Sequence, residues 1–160
     1  MLDAIVAVYS DWGIGANGTQ PLVIKEDRKH FAEVTAGSAV IVGRKTLADF
    51  PGGRPLKNRV NIVLTRSDIE IEGAVTAHSV EEALILAKPH ESVFVIGGDS
   101  VYRAFLPHIC RVYVTKIGAQ PHSDSFFHDL DADPVWRVTD PGEEKQQEGI
   151  SYRFMVYERV

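Results

Sequence analysis

The sequence predicts an α/β fold: a single domain with a mainly parallel central sheet, flanking helices and an antiparallel C-terminal edge. Short apolar stretches alternate with helical patterns over the first two thirds of the chain, which is typical of parallel βαβ units. Three further apolar stretches then follow one another with no helix between them, which favours antiparallel pairing. No internal repeat, low-complexity segment or linker divides residues 1–160, so we expect one domain.

The first elements are a strand, a long loop and a helix. Residues 4–9 form a nearly continuous apolar stretch, typical of a strand that is buried on both faces. Residues 10–24 contain three glycines, Asn17 and Pro21, which predicts a loop. Loops of this length often act as lids over a binding site. Residues 25–35 have a helical pattern that ends before Gly37.

The remaining elements alternate until about residue 107. We expect strands at 38–42, 60–64, near Val75, at 92–96, 111–117, 135–139 and 151–158, and helices from Gly43 through Phe50, from Ser79 through Lys88 and from Gly98 to Pro107. Ser79 and Glu82 have the spacing of a capping box, which marks a helix start. In the last strand, Tyr152, Phe154 and Val156 alternate onto one face.

Composition limits the classes of protein to consider. Hydrophobic residues make up 44% of the chain and charged residues 24%, which is ordinary for a globular protein. The net charge of -5 is opposite in sign to the basic excess of most nucleic-acid-binding modules. The single cysteine, Cys110, excludes an intrachain disulfide and fits a reducing compartment. The apolar run 4–8 is too short for a signal peptide or a membrane span, so we expect a cytoplasmic protein that binds neither nucleic acid nor membrane.

Asp27 is the most informative single residue. Helical spacing places it on the same face as Phe31 and Val34. A carboxylate on an apolar, inward-facing stripe costs free energy unless it has a partner, which favours a binding role. An acidic residue in the first turn also suits the helix dipole, so the spacing alone leaves both interpretations open.

Two strand-to-helix turns carry glycine, at residues 42–46 and 96–100. The missing side chain lets a ligand approach the backbone, and helix N-terminal amides favour phosphate, so the pair suits a pyrophosphate. The G-x-G-x-x-G pattern is absent after the first strand, which disfavours a conventional dinucleotide-binding fold. Arg44, Lys45 and Arg66 follow the ends of two successive strands, where ligands of parallel sheets gather. Taken alone, these three cations fit an ordinary solvated surface better.

Metal and serine-hydrolase chemistry have little support in the sequence. The six histidines lack an H-E-x-x-H arrangement and partner cysteines. The G-x-S-x-G pattern of a nucleophile elbow is also absent. We therefore expect no metal site and no acyl-enzyme chemistry.

Taken together, several segments resemble the dihydrofolate reductase family in order and spacing, over essentially the whole chain. The matching segments are 4–7 (AIVA), 12–15 (WGIG), the helix around Asp27 and Phe31, 42–46 (VGRKT), 54–56 (RPL), 59–64 (RVNIVL), 95–102 beginning with VIGG, and Thr115. The resemblance implies NADPH-dependent hydride transfer to the pterin ring of dihydrofolate. It also implies that antifolate inhibitors bind the same pocket.

The resemblance assigns residues to both ligands. On the substrate side it implies Ile5, Val6, Asp27, Phe31, Phe50, Leu56, Arg59, Ile96, Tyr102 and Thr115, and we add Arg28 as an expectation of our own. On the NADPH side it implies Ala7, Ile14, Gly15, Gly43, Arg44, Lys45, Thr46, Leu64, Thr65, Arg66, Gly97, Gly98, Asp99, Ser100, Val101 and Tyr102.

The resemblance also implies roles for individual side chains. Asp27 would hold the pterin by two parallel hydrogen bonds and favour protonation of its ring nitrogen, and Thr115 would orient Asp27. Arg59 would pair with the α-carboxylate of the glutamate tail. Arg44 and Arg66 would bind the 2′-phosphate of the cofactor, and the loop 10–24 would close over the nicotinamide.

Three residues depart from the family pattern. Leu22 follows the loop proline where tryptophan is usual, which puts the proton route through an ordered water in doubt. Arg28 replaces an apolar residue, either as a solvated cation or, as we favour, as a partner of the glutamate tail beside Arg59. Ser100 replaces a cation of some members and leaves the 2′-phosphate to the two arginines. Because Leu22 and Arg28 are expected to line the antifolate pocket, we predict altered affinity for diaminopyrimidine inhibitors.

Two other functions remain open at this point. A pyrimidine reductase of the riboflavin pathway has a similar fold and uses NADPH, but it does not explain Asp27, Phe31 and Arg59 together. A catalytically silent NADPH-binding module is of a different class, and Leu22 is the feature that favours it. We expect a monomer, because no long apolar stripe is left over for a partner.

Overall fold

The computed structural model describes all residues 1–160 and contains eleven strands and four α-helices. The strands are β1 (Leu2–Val8), β2 (Gly13–Gly15), β3 (Ala39–Gly43), β4 (Val60–Leu64), β5 (Ala74–Ala77), β6 (Val93–Gly97), β7 (Arg111–Ile117), β8 (Ser125–Phe126), β9 (Trp136–Asp140), β10 (Lys145–Gln147) and β11 (Ile150–Arg159). The helices are α1 (Lys25–Thr35), α2 (Arg44–Ala48), α3 (Val80–Ala87) and α4 (Asp99–Phe105). Short 3₁₀ turns occupy Pro51–Gly53 and Leu106–His108.

Nine strands form one central sheet in the order β10-β11-β7-β1-β6-β3-β4-β5, with β9 also paired to β11. The six strands from β7 to β5 are parallel to one another. Strand β11 runs antiparallel to β7, and both β9 and β10 run antiparallel to β11. This topology confirms the predicted α/β fold with a mainly parallel sheet and an antiparallel C-terminal edge.

The core lies on both faces of the parallel strands because alternate side chains point to opposite faces. In β3, Val40 and Val42 pack on the face covered by α2, whereas Ile41 packs in the larger cluster on the opposite face. All three side chains are fully buried. Burial on both faces explains why the parallel strands are continuous apolar runs in the sequence. Burying each such side chain contributes roughly 1.5–3 kcal/mol.

Several predicted boundaries differ from the observed ones for local reasons. The helix predicted to extend through Phe50 ends at Ala48, because Phe50 precedes a proline and adopts an extended conformation with ψ 157°. The helix predicted to end at Pro107 is α-helical only to Phe105 and then tightens into a 3₁₀ turn. Ser79 caps α3 by accepting from the Glu82 amide, as predicted. The Glu82 carboxylate, however, accepts from the His78 amide instead of completing the box at Ser79.

Three short strands are absent from the sequence prediction. Strands β2 and β8 pair with each other as a separate two-stranded sheet that ties the loop after β1 to the segment after β7. Strand β10 forms a hairpin with β11. None of the three has an apolar run of its own. No helix has the length and apolar character needed to cross a bilayer.

Candidate active site

A cavity of about 430 Å³ lies at the carboxyl edge of the parallel strands, between α1, α2, α4 and the loop 10–24. Its lining residues are Ile5, Val6, Ala7, Ile14, Gly15, Gly18, Thr19, Gln20, Asp27, Phe31, Lys45, Thr46, Asp49, Phe50, Ile96, Gly97, Gly98, Asp99, Tyr102 and Ser125. Fifteen of these twenty residues belong to the two sets of ligand-binding residues expected from the sequence. The other five are residues 18–20, Asp49 and Ser125. The volume suits a small organic ligand.

Asp27 is the carboxylate that α1 contributes to this cavity. It lies in the first turn of α1, and its Oδ1 accepts a hydrogen bond of 2.5 Å from the Thr115 hydroxyl. Thr115 itself is buried in β7, behind Asp27 as seen from the cavity, and does not line it. Burial raises the pKa of Asp27, and the Thr115 hydrogen bond and the nearby His30 lower it in part. The carboxylate therefore keeps one orientation and can accept hydrogen bonds from a ligand.

The C-terminal hairpin holds the first turn of α1 in place. The helix has no side-chain cap of its own, and the Lys25 amide donates instead to Oε1 of Gln147, at 2.7 Å. Lys145 pairs with Glu26 at 3.0 Å, and the Tyr152 hydroxyl donates to the same carboxylate. Three side chains of β10 and β11 thus fix the turn that carries Asp27.

Apolar side chains form the walls around this acid. Phe31, one helical turn after Asp27, lines the cavity together with Ile5, Ile96 and Phe50. The buried Tyr102 hydroxyl donates to the Ile5 carbonyl at 2.7 Å, which joins α4 to β1 beneath the cavity. Apolar walls around a few placed polar groups are typical of sites that bind small organic molecules.

The two glycine turns pack against each other at the other end of the cavity. A Cβ at Gly98 would lie 2.8 Å from the Thr46 Oγ1, and a Cβ at Gly43 would lie 3.0 Å from the Val101 Cγ2. Gly97 has φ +134°, which a side chain would strain, and its bond to Gly98 is cis. A side chain at Gly43 or Gly98 would therefore have to displace its neighbour, and the backbone of Gly97 and Gly98 lines the cavity.

Of the three cations at the strand ends, Lys45 lines the cavity, whereas Arg44 and Arg66 lie outside its lining. Arg44 and Arg66 are exposed and take part in no salt bridge. Their strands are neighbours, since Gly43 pairs in register with Leu64. Next to them, Leu64 is half-buried and Thr65 is buried.

The first turn of α4 carries an acidic residue, Asp99, and no cation. Asp99 lines the cavity and pairs with Arg103 at 3.3 Å. Ser100 is exposed, and Val101 is buried beneath the turn.

Three residues expected around the substrate tail lie outside the cavity lining, namely Arg28, Leu56 and Arg59. The Arg59 Nε donates to Thr35 Oγ1 at 3.0 Å, and its guanidinium carbon lies 6.0 Å from the Phe31 ring centroid. Leu56 is half-buried in the apolar cluster on the same face. Arg28 is exposed and forms no salt bridge or side-chain hydrogen bond. The structure thus brings Arg59 next to Phe31 and leaves Arg28 free in solvent.

The loop 10–24 covers one side of the cavity and is fastened at several points. The Asp124 amide donates to the Gly15 carbonyl at 2.9 Å, and the Asn17 amide donates to Asp124 Oδ2 at 3.0 Å. Gln20 Nε2 donates to the Ala7 carbonyl, at 3.4 Å. Gly18, Thr19 and Gln20 line the cavity, although the sequence analysis did not name them individually. The sequence feature that could have identified them is their position in the predicted lid. Asp49 and Ser125 carry no comparable signal.

One expectation about this loop is wrong. Leu22, expected to line the antifolate pocket, packs instead with Tyr9 and Ile24 and does not line the cavity. The reason is the Tyr9 hydroxyl, which donates to the Leu22 carbonyl at 2.8 Å and accepts from the Leu22 amide at 3.1 Å. These two bonds fix the Leu22 backbone beside Tyr9.

The sheet and its cavity are those of a small α/β oxidoreductase in which a half-buried carboxylate and two strand-to-helix turns line one cavity. The family model for dihydrofolate reductase matches residues 1–159, and the chain belongs to the dihydrofolate reductase family. This finding confirms the family that the sequence motifs indicate.

Relatives from bacteria and from a mammal support the assignment over the full chain. A dihydrofolate reductase of Staphylococcus haemolyticus is 35% identical over 161 residues, which cover 99% of this chain and 96% of the relative. One of Bacillus subtilis (strain 168) is 32% identical over 162 residues, with 99% and 95% covered. One of Rattus norvegicus is 38% identical over 181 residues, with 99% and 97% covered.

Proposed function

We propose that this enzyme reduces 7,8-dihydrofolate to 5,6,7,8-tetrahydrofolate with NADPH as the reductant. The observation that carries this proposal is the Asp27 carboxylate, oriented by Thr115 and placed in one cavity with the two glycine turns. Membership in the dihydrofolate reductase family supports the same reaction.

The residues present fit NADPH. Gly97 and Gly98 line the cavity beside Thr46, and their missing side chains would let a pyrophosphate approach the backbone there. Arg44 and Arg66, free of carboxylate partners, would hold the 2′-phosphate. The remaining expected contacts are Ala7, Ile14 and Gly15 at the nicotinamide, Leu64 and Thr65 at the adenosine, and Lys45, Asp99, Ser100, Val101 and Tyr102 between them. When bound, NADPH supplies the hydride that reduces the pterin ring.

Asp27 would bind and orient the substrate. Its two oxygens can accept parallel hydrogen bonds from the amino group and a ring nitrogen of the pterin, which fixes the ring in its plane. Ile5, Val6, Phe31 and Ile96 would pack against the ring faces. Phe50 and Leu56 would flank the aminobenzoyl group, and Arg59, with Arg28, would bind the carboxylates of the glutamate tail.

Asp27 would also govern the proton that the reaction requires. A raised pKa lets the carboxyl group exchange a proton nearer to neutral pH than an exposed aspartate does. It would favour protonation of the pterin nitrogen through its charge or through a water molecule, without touching that nitrogen. The loop 10–24 would exclude bulk water from the cavity while the substrate is held.

A steady-state assay of NADPH oxidation tests this function. We expect turnover with dihydrofolate and none with the ribosylaminopyrimidine of the riboflavin pathway, whose reductase the family assignment does not favour. The Asp27→Asn variant should lose most activity at neutral pH, because it cannot carry the charge. Saturable NADPH binding without turnover on either substrate would instead indicate a silent binding module.

We also propose that residues 1–160 act as one domain and as a monomer in the cytoplasm. The single cysteine supports a reducing compartment. The exposed large apolar residues come from separate elements, among them Val60, Ile85 and Val138, which supports the monomer. Light scattering after size exclusion should give a mass near 17.7 kDa.

A further inference from the structure

Trp12 stands near the start of the loop 10–24, and its backbone is held in an unusual conformation. Its φ is 67°, which is rare for a residue with a large side chain and is costly unless packing maintains it. The Trp12 amide donates to the Tyr9 carbonyl, and the Tyr9 amide donates to the Gly13 carbonyl, both at 2.9 Å. The Phe127 amide donates to the Trp12 carbonyl, also at 2.9 Å. Three backbone hydrogen bonds therefore hold this turn.

The indole ring of Trp12 is buried among three side chains. The Phe127 ring stacks on it with 6.4 Å between centroids, and the Tyr157 ring meets it edge-on at 5.8 Å. The Lys116 ammonium nitrogen lies 4.0 Å from the ring centroid, which is a cation–π contact. These contacts hold the backbone in a conformation that tryptophan rarely adopts without such support.

Asp131 fixes the ammonium group of Lys116 over the ring. Its Oδ2 accepts from Lys116 Nζ at 2.9 Å, and its Oδ1 accepts from the Tyr157 hydroxyl at 2.8 Å. Burial raises the pKa of Asp131, whereas the hydrogen bonds from Lys116 and Tyr157 lower it, and the net shift is downward. The carboxylate is therefore ionised at neutral pH. The Lys116 side chain is 22% exposed, so little water competes for the ammonium group.

Strand β7 connects this contact to the carboxylate of the cavity. Thr115, which donates to Asp27, directly precedes Lys116, and consecutive side chains of a strand point to opposite faces of the sheet. One face of β7 thus fixes the carboxylate, and the other fixes the start of the loop. Residues 14 and 15, which follow Trp12 closely, line the cavity. A shift of the Trp12 turn would therefore move the cavity wall.

We infer that Trp12 is a positioning residue for hydride transfer: with Lys116 over its ring, it holds residues 14–15 where they keep the nicotinamide against the pterin. This inference rests on the proposed reduction of dihydrofolate by NADPH. Trp12 does not line the cavity, so it acts through the backbone that follows it. Without the cation the turn would relax more often, and the nicotinamide would spend less time within reach of the acceptor carbon.

The main test is a single-turnover rate, measured with enzyme in excess over dihydrofolate and with NADPH at saturation, because this rate reports the chemical step. Lys116→Met removes the ammonium group and keeps an apolar side chain of similar length. We expect the rate to fall about fivefold and the KM for dihydrofolate to stay within about twofold of wild type, because Asp27 is untouched. Lys116→Arg keeps a cation over the ring and should stay near wild type. Equal losses in both variants would overturn the inference, because the cation would then not be responsible.

A second tryptophan provides a matched control for the ring. Trp136 is also buried beneath a cation, with the Arg159 guanidinium carbon 4.5 Å from its ring centroid, but it lies on β9 and outside the cavity lining. Trp12→Phe and Trp136→Phe make the same change in the same core cluster, so both should lower the unfolding free energy. We expect only Trp12→Phe to slow the single turnover. Equal slowing in both would overturn the inference, because it would then reflect core packing in general.

A readout that does not depend on activity completes the test. The chain has two tryptophans, so Trp136→Phe leaves the fluorescence of Trp12 alone. In that background, Lys116→Met should make Trp12 roughly twofold more accessible to quenching by acrylamide, and Lys116→Arg should not. Unchanged quenching with Lys116→Met would overturn the inference, since the cation would not hold the ring. Absence of dihydrofolate turnover in the wild type would instead count against the proposed function itself.

Discussion

The Thr115 hydroxyl donates to the Asp27 Oδ1 across 88 residues of sequence, and this bond connects the central sheet to the helix that carries the acid. Thr115 is buried in β7, so its hydroxyl has a fixed direction. Opposite it in register on β11 is Phe154, whose ring stacks on His30 at 4.0 Å between centroids. The position of Asp27 therefore depends on two strands as well as on its own helix.

Replacing Thr115 with valine should weaken substrate binding and shift the pH profile. The Thr115 hydrogen bond lowers the pKa of Asp27, so its loss raises that pKa further and leaves less ionised carboxylate at neutral pH. We expect the KM for dihydrofolate to rise roughly three- to tenfold and the apparent pKa of kcat/KM to move upward. Thr115→Ser keeps the donor and should stay near wild type. A valine variant with an unchanged profile would contradict this role.

Asp27→Asn should make the ligand-free protein more stable at neutral pH while it impairs turnover. The pKa of Asp27 is higher in the folded protein than in the unfolded chain, so ionising it costs stability as the pH rises through its folded value. We expect roughly 1 kcal/mol more unfolding free energy at pH 7, a gain that narrows as the pH falls. Urea unfolding at several pH values measures it.

The matched control is Asp49→Asn, at an exposed carboxylate that lines the same cavity. Because Asp49 is not buried, its substitution should change the unfolding free energy by less than about 0.5 kcal/mol. A similar gain in both variants would show that the stabilisation comes from net charge and not from burial of Asp27.

The elements that the sequence predicts correctly are those with a local pattern. The strands β3, β4 and β6 are apolar runs because both of their faces are buried, and the spacing of Asp27 and Phe31 reflects one helix face. The glycine turns are recognisable in the sequence because a Cβ at Gly43 or Gly98 would lie within 3.0 Å of a neighbouring side chain. Each of these features depends on only a few neighbouring residues in the sequence.

The features that the sequence does not predict depend on distant partners. Strands β2 and β8 are short, and they pair only because the chain returns to the loop after β7. The path of the backbone places Asp49 and Ser125 at the cavity, and no periodic sequence pattern identifies them as cavity residues. The position of Leu22 depends on Tyr9, whose hydroxyl forms two hydrogen bonds with the Leu22 backbone although the two residues are 13 positions apart in sequence.

Tyr152→Phe should loosen the first turn of α1 without touching the cavity. The Tyr152 hydroxyl donates to Glu26, and this bond raises the pKa of Tyr152 to about 12. Its loss should lower the unfolding free energy slightly and raise the KM for dihydrofolate severalfold, because Asp27 follows Glu26 directly. Tyr113→Phe is the control, since that hydroxyl has no hydrogen-bond partner. A loss of stability with an unchanged KM would mean that the contact stabilises the fold and does not position Asp27.

Asp124→Ala should slow turnover through the lid. The Asp124 Oδ2 accepts from the Asn17 amide, and the pairing of β2 with β8 lies immediately beside it. Without this acceptor the loop should open more often, so we expect kcat to fall roughly three- to tenfold with little change in the unfolding free energy. Loops of this kind open locally, without unfolding the sheet, so global stability is a poor reporter of the contact and kcat is a sensitive one.

Asp124→Asn separates the hydrogen bond from the charge. Its side-chain oxygen can still accept from the Asn17 amide, whereas its negative charge is gone. Near-wild-type kcat in the asparagine variant, with reduced kcat in the alanine variant, is the result expected if the hydrogen bond holds the lid. Equal losses in both would show that the charge of Asp124, acting on the loop from outside the cavity, is what matters.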